Sequence, residues 1–183
     1  MSTTTLPLTI PDTTWAIDPV HSSVGFEVKH LGVSTYRGNF PGVSGTITTA
    51  GGQVTAVDGT TEITSLVTQD QNLTGHLFSP DFFDADNHPT GRFVATGITQ
   101  EPAGEITING DLTLRGVTKP ATLTGEVEGS GADMYGNTRL GISVSGKINR
   151  TQYGINWNAP LDNGMVAVAE TVKLVWHVEA IAQ

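Results

Sequence analysis

Glu105-Ile106-Thr107-Ile108-Asn109-Gly110-Asp111-Leu112-Thr113-Leu114-Arg115 is the stretch that decides the fold class. Ile106, Ile108, Gly110, Leu112 and Leu114 alternate with Glu105, Thr107, Asn109, Asp111, Thr113 and Arg115. Successive side chains leave a pleated backbone on opposite faces, so strict period two marks a strand with one buried side. Wound as a helix, the same apolar residues would spread round the axis and define no face.

The period continues downstream. Val117, Ala121, Leu123 and Val127 share one face, with Thr118, Thr122, Thr124 and Glu126 on the other. Leu140, Ile142, Val144 and Ile148, then Val172, Leu174, Trp176 and Val178, repeat it near the C-terminus. Upstream, Val24, Phe26, Val28 and His30 form one inward row. Strands with one wet face are antiparallel in habit. Ala50-Gly51-Gly52, Pro102-Ala103-Gly104, Gly129-Ser130-Gly131 and Asp162-Asn163-Gly164 read as turns, and Gly110, inside the cleanest alternation, reads as a bulge or bend. About eight strands result, a number that closes a barrel with room for one small ligand. The expected fold is all-β, an antiparallel barrel of about eight strands with one or two short helices in the connections. Residues 1–13 are expected as a flexible N-terminal arm and 14–183 as the barrel domain.

Two stretches break the alternation. Asn72 to Asp84 carries Leu73, Leu77, Phe78, Phe82 and Phe83, and Asn149 to Pro160 carries Tyr153 and Trp157. Both read as short helices or caps folded over a barrel mouth, because paired Phe side chains do not stay in water. Ser79-Pro80-Asp81 reads as a helix start, its acid beside the positive end of the dipole.

Composition excludes several functions. Asp plus Glu number 18 against 9 Lys plus Arg, a formal net charge of -9, so the surface repels phosphate backbones and nucleic acid is not an expected partner. No run of 18 apolar residues offers a bilayer span, and stable membrane insertion is not expected. The absence of cysteine removes disulfides, thiolate nucleophiles and Cys-based zinc sites. Met1 to Thr14 has neither a basic nor an apolar leader segment, from which a cytoplasmic location is expected.

Catalytic motifs are equally scarce. Gly141-Ile142-Ser143-Val144-Ser145 approaches a nucleophile elbow but ends in Ser and lies within a strand. Gly129-Ser130-Gly131 lacks the third glycine of a dinucleotide loop, since Met134 stands in its place. His21, His30, His76, His88 and His177 show no i, i+4 pair, so a metal would need ligands assembled across strands, and no metal or cofactor is expected. His30 fits either a strand-end bond to a backbone carbonyl or a ligand contact. Arg150, where a strand ends, fits a structural pairing with a carboxylate or contact with an anionic headgroup.

One long block, Thr14-Trp15-Ala16-Ile17-Asp18-Pro19-Val20-His21-Ser22-Ser23-Val24-Gly25-Phe26-Glu27-Val28-Lys29-His30-Leu31-Gly32, closely resembles the opening of the YceI-like family of bacterial polyisoprenoid-binding proteins. His76-Leu77 with Ser79-Pro80-Asp81-Phe82-Phe83-Asp84, then Gly110 to Pro120, then Ile148-Asn149-Arg150 with Tyr153-Gly154, are similar to its later motifs in the same order. One departure stands out: Leu73-Thr74-Gly75 precedes His76 where that family carries an Arg-Asp pair. The resemblance implies a lipocalin-like barrel with an elongated pocket for polyprenyl chains, isoprenoid quinones or fatty amides, often in a homodimer, with no cofactor and no catalytic residue.

The expected function is therefore to bind and carry or sequester an elongated apolar lipid inside the barrel, without catalysis. The expected ligand-facing residues are Phe26, Val28, His30, Phe40, Leu77, Phe82, Phe83, Phe93, Leu112, Leu114, Tyr153, Trp157 and Trp176. Two rivals remain open at this level: an enzyme acting on a bound isoprenoid with His30 or Asp18 as acid or base, and a packed structural or regulatory dimer without ligand.

Overall fold

A computed structural model describes residues 9–183. Ten strands follow in chain order: β1 (Thr14–Ile17), β2 (Ser23–His30), β3 (Ser34–Phe40), β4 (Val43–Ala50), β5 (Gln53–Glu62), β6 (Thr90–Gln100), β7 (Glu105–Leu114), β8 (Val117–Ala132), β9 (Thr138–Asn149) and β10 (Val168–Ala182). One helix, α1 (Gln71–Phe78), and two 3-10 turns, Ile63–Ser65 and Arg150–Tyr153, interrupt them.

All neighbours are antiparallel, and the sheet closes because β1 lies between β4 and β10. The circuit β1-β4-β5-β6-β7-β8-β9-β10 is an eight-stranded barrel, and the β2–β3 hairpin hangs on β10 and lengthens the wall on one side. Strands β1 and β2 are one strand broken in the middle. Between the pairs Ile17↔Ala180 and Ser23↔His177, five residues, Asp18 to Ser22, face only Val178 and Glu179 and bulge outward.

The alternation falls as its chemistry requires: Ile106, Ile108, Leu112, Leu123, Val127, Leu140, Ile142 and Val144 are buried and point inward. Two details differ from the sequence reading. The bulge lies on β6, between Ala95 and Gly97, and not at Gly110 opposite. Gly110 is needed for space, since a Cβ there would meet the Phe93 ring at 2.4 Å and the Val94 carbonyl at 2.6 Å. Gly129-Ser130-Gly131 runs within β8 past a bulge. The turn comes later, where Asp133 accepts the Tyr135 and Asn137 amides at 2.8 and 2.9 Å.

Of the expected N-terminal arm, residues 1–8 lie outside the described residues. Thr9 to Thr13 are docked: Ile10 is buried in the core, and Thr49 Oγ1 donates to the Pro11 carbonyl at 2.6 Å while accepting the Trp15 indole N–H at 2.8 Å. Ile10, Trp15, Val54, Ile106, Val127, Leu140 and Ala180 fill this end of the barrel solidly.

The segment between β5 and β6 closes the other end. Among the described residues β3 has one bridge on its free side, Asn39↔Val67, and Leu73, His76 and Leu77 of α1 line the cavity. The helix begins at Asp70, whose carboxylate accepts the Asn72 amide at 2.9 Å. It stops at Ser79, because the following Pro80 forces Ser79 into extended backbone. Ser79-Pro80-Asp81 is thus a helix end and not the start that its residue types suggest.

Candidate functional site: the barrel cavity

Between the plug at one end and α1 at the other lies a cavity of about 500 Å³, within the range usual for small-molecule sites. Its wall is overwhelmingly apolar. Phe26, Val28 and Phe40 line it from β2 and β3, Phe93, Leu112 and Leu114 from β6 and β7, and Trp176 from β10. Leu77, Phe82 and Phe83 come down from the connection after β5, and Trp157 from the connection after β9. Gly38 makes room for this arrangement, since a Cβ there would sit 2.6 Å from the Phe26 ring. Phe26, Phe40 and Phe83 then form one aromatic group, with centroids 5.7–6.5 Å apart.

Twelve of the thirteen sequence-derived site residues line this space. The exception is Tyr153: it is buried in the 3-10 turn after β9, its hydroxyl pKa raised by that burial, and it does not line the cavity. The turn starts where Asn149 Oδ1 accepts the Thr151 amide and packs against β8 and β10, with Tyr153 in the buried core cluster. His30 ends β2, exposed at the opening together with Lys29, Gln69 and Asp70.

Phe82 and Trp157 are joined by His76. The His76 ring stands edge-on to both, with centroids at 5.0 and 5.1 Å, and its Nε2 lies 2.9 Å from Asp81. Arg115, at the two-residue turn between β7 and β8, donates to the Pro80 and Phe82 carbonyls at 2.6 and 2.7 Å and ties this segment to the barrel. Sequence reasoning noticed Arg115 without finding this role. Its signal was position: a tight β7–β8 turn at the mouth places a long donor beside the connection that must cross there.

Arg150 is buried at the cavity wall, but its partners are carbonyls and not the carboxylate expected. Nε donates to Ala169 at 2.8 Å, Nη1 to Ile155 and Trp157 at 2.7 and 2.9 Å, and Nη2 to Val168 at 3.1 Å. Burial lowers its pKa, and its role is to knot the Trp157 loop to the start of β10.

Polar chemistry elsewhere is structural in geometry. Arg139 Nη1 donates to Asp18 at 2.8 Å and to Glu179, and Nε donates to Asp133 at 2.7 Å. Asp18, held down to a pKa of about 2 by His21 and Arg139, pins the bulge between β1 and β2. Asp18, His21 and Glu179 are close enough together to suggest a cation site, yet the guanidinium already occupies their shared face. Ser143 lies on the outer wall, its hydroxyl donating to Glu128 and 2.8 Å from His177 Nδ1. A catalytic relay needs the carboxylate behind the imidazole and a pocket in front of the serine. Here the carboxylate holds the serine itself, outside the cavity.

The sequence profile described as the YceI-like domain matches residues 15–180. The chain belongs to the YceI-like family. Protein YceI of Shigella flexneri is 33% identical over 165 residues, spanning 89% of this chain and 83% of that protein. Among solved structures, Burkholderia cenocepacia BcnA superposes with a TM-score of 0.77 at 20% identity, covering 90% of this chain and 99% of that one. A polyisoprenoid binding domain from Saccharophagus degradans superposes at 0.67 and 14% identity, covering 93% and 99%. At those identities the two structures speak for the fold: this YceI-like chain shares their closed antiparallel barrel.

Proposed function

We propose that this YceI-like barrel binds an elongated apolar lipid, a polyisoprenoid, an isoprenoid quinone or a fatty amide, and carries or sequesters it without altering it. One observation carries the reading: the barrel core is an apolar-walled cavity of about 500 Å³ where a packed barrel would have side chains. The name of the Saccharophagus degradans neighbour, a polyisoprenoid binding domain, points the same way.

The magnitudes are sufficient. A lipid carbon moved from water into such a wall gains ~0.8 kcal/mol, so twenty carbons gain roughly 16 kcal/mol gross. Association costs ~4–15 kcal/mol in lost freedom, which leaves a twenty-carbon chain about 1–12 kcal/mol from burial, so burial carries most of the affinity and polar contacts set specificity. Homodimerisation is a further expectation of this reading, checked by sedimentation of lipid-free and lipid-loaded protein.

Denaturing the protein purified from its native host, extracting it with organic solvent and analysing the extract by mass spectrometry tests the proposal. A long-chain apolar lipid near one per chain or per dimer is expected. Protein that yields no lipid and also takes up none when offered a C20 isoprenoid would overturn it.

A further inference from the structure

Apart from Val67, the large apolar side chains exposed among the described residues lie in turns and bulges at the two ends of the barrel. Val20, Met134 and Tyr135 belong to the plugged end, beside the Asp18 and Asp133 carboxylates that hold Arg139. Val33, Met165 and Val166 belong to the open end. Two tips carry them. Residues 31–33 turn β2 into β3, and residues 161–166 form a second turn, closed by the Pro160↔Val166 bridge and by the Leu161 amide donating to the Met165 carbonyl at 2.9 Å. The tips touch: the Leu31 amide donates to the Ala167 carbonyl at 2.8 Å, and a Cβ on Gly32 would overlap the Met165 methyl.

Stability does not account for these side chains. The first tip runs through two left-handed residues, Leu31 at φ 55° and Gly32 at φ 71°, positions that Asn-Gly or Asp-Gly fills with least strain. Leu31 is strained there, and neither it nor Val33, Met165 or Val166 belongs to the packed core. What they adjoin is the cavity. Lys29 and His30, just before the first tip, line it, as do Ala167 and Val168 just after the second. Apolar surface therefore continues from Val166 through Ala167 and Val168 into the barrel.

Size and charge narrow what covers the tips. Their four apolar side chains offer on the order of 300 Å², against ~800 Å² per partner in a stable protein interface. That is small for a second copy, which would also crowd the opening, and it suits two turns sinking into the headgroup region of a bilayer. Electrostatic attraction to an anionic leaflet is not available: the net charge is -9, and the exposed charges beside the tips, Lys29 and Asp162, oppose each other.

We propose that residues 31–33 and 165–166 dock the open end of the barrel on an electrically neutral bilayer surface, so that a lipid passes between membrane and cavity without crossing water. The inference rests on the lipid-binding reading above and adds where the ligand enters and what the mouth touches.

The test follows transfer of a C20 isoprenoid alcohol from phosphatidylcholine vesicles to lipid-free protein, for the wild type, for Val33→Asp/Val166→Asp and for Met134→Asp at the plugged end. Val33 and Val166 do not line the cavity, so the same alcohol delivered from cyclodextrin is expected to bind all three proteins alike. Wild-type transfer is expected to rise in proportion to vesicle concentration, as docking requires. Val33→Asp/Val166→Asp should transfer about tenfold more slowly, since burying one valine is already worth such a factor, and Met134→Asp should match the wild type. Vesicles enriched in phosphatidylglycerol should give slower transfer. Should the aspartates lower the melting temperature, Val33→Ser/Val166→Ser carries the same comparison.

Docking is overturned by a wild-type rate that ignores vesicle concentration, by an unchanged rate or a loss of cyclodextrin uptake in the double variant, by an equal slowing in Met134→Asp, or by faster transfer from phosphatidylglycerol. Sedimentation that finds a wild-type dimer split by Val33→Asp/Val166→Asp also overturns it, because the tips would then be a contact between copies. Uptake from cyclodextrin by the wild type alongside any of these leaves the lipid-binding reading standing. A wild type that takes the alcohol from neither source overturns both.

Discussion

At the plugged end of the barrel Trp15, Leu140 and Ala180 are sealed to 0% exposure, whereas at the mouth Phe26, Phe83 and Trp157 stay only half buried although they too point inward. The inner faces of the mouth residues look onto the cavity, and those of the plug residues meet each other. The same binary pattern therefore builds two kinds of interior. At the plug a large ring and the returning N-terminal segment fill the cross-section. At the mouth the rings stand against the wall and leave the centre empty, so there they contribute less to stability and more to whatever enters.

The largest effect expected from this contrast is on Trp15. Trp15→Ala removes a fully buried ring and its bond to Thr49 and should cost ~3–5 kcal/mol in chemical denaturation. Phe26→Ala should cost less, about 1–3 kcal/mol, because part of its ring faces the cavity and not packed neighbours; its main effect should be at least a tenfold loss of affinity for a C20 isoprenoid. Equal stability losses at the two positions would erase the distinction between plug and mouth.

A smaller effect concerns the clamp at the plugged end. Asp18 has a folded pKa of about 2 against an ordinary value of 3.8. A depressed carboxylate pKa contributes stability that is present above the unfolded value and lost as pH falls through the folded one. The wild type should lose stability between about pH 4 and pH 2, and Asp18→Asn, less stable at pH 7, should show a flatter acid limb. Parallel acid limbs, followed by denaturant midpoint against pH, would remove Asp18 from the account.

The smallest expected effect is at the mouth. Arg115 fastens Pro80 and Phe82 to the barrel, while α1 is held by buried Leu77, by His76 against Phe82 and Trp157, and by its cap. Hydrogen exchange should show α1, Gln71–Phe78, gaining protection when a lipid is loaded, with Asp81–Phe83 changing little. Equal protection of α1 with and without lipid would make it fixed wall and no gate.

Much of this was legible in the chain. The alternation on β7, β8, β9 and β10 assigned inward and outward residues correctly, and the breaks at Asn72 and Asn149 located the pieces that cover the mouth. Less local features were misread. Ser79-Pro80-Asp81 has the residue types of a helix start, yet Asp70 caps the helix and Pro80 ends it. Tyr153 sits among mouth aromatics in sequence, but the turn begun by Asn149 sends it into the core. The roles of Arg115 and Arg150 were hidden because both bond to backbone carbonyls, which every residue offers and no side-chain motif records.

What the sequence by itself determined is therefore the class of the fold and which face of each strand is apolar, because period two is a property of a single strand and its neighbours along the chain. Whether those apolar faces meet or enclose a space was decided only by the tertiary structure. That depends on the circumference set when Trp15 pairs with Ala182 across the whole chain, on Arg139 pinning Asp18, and on which rings lie at the same level.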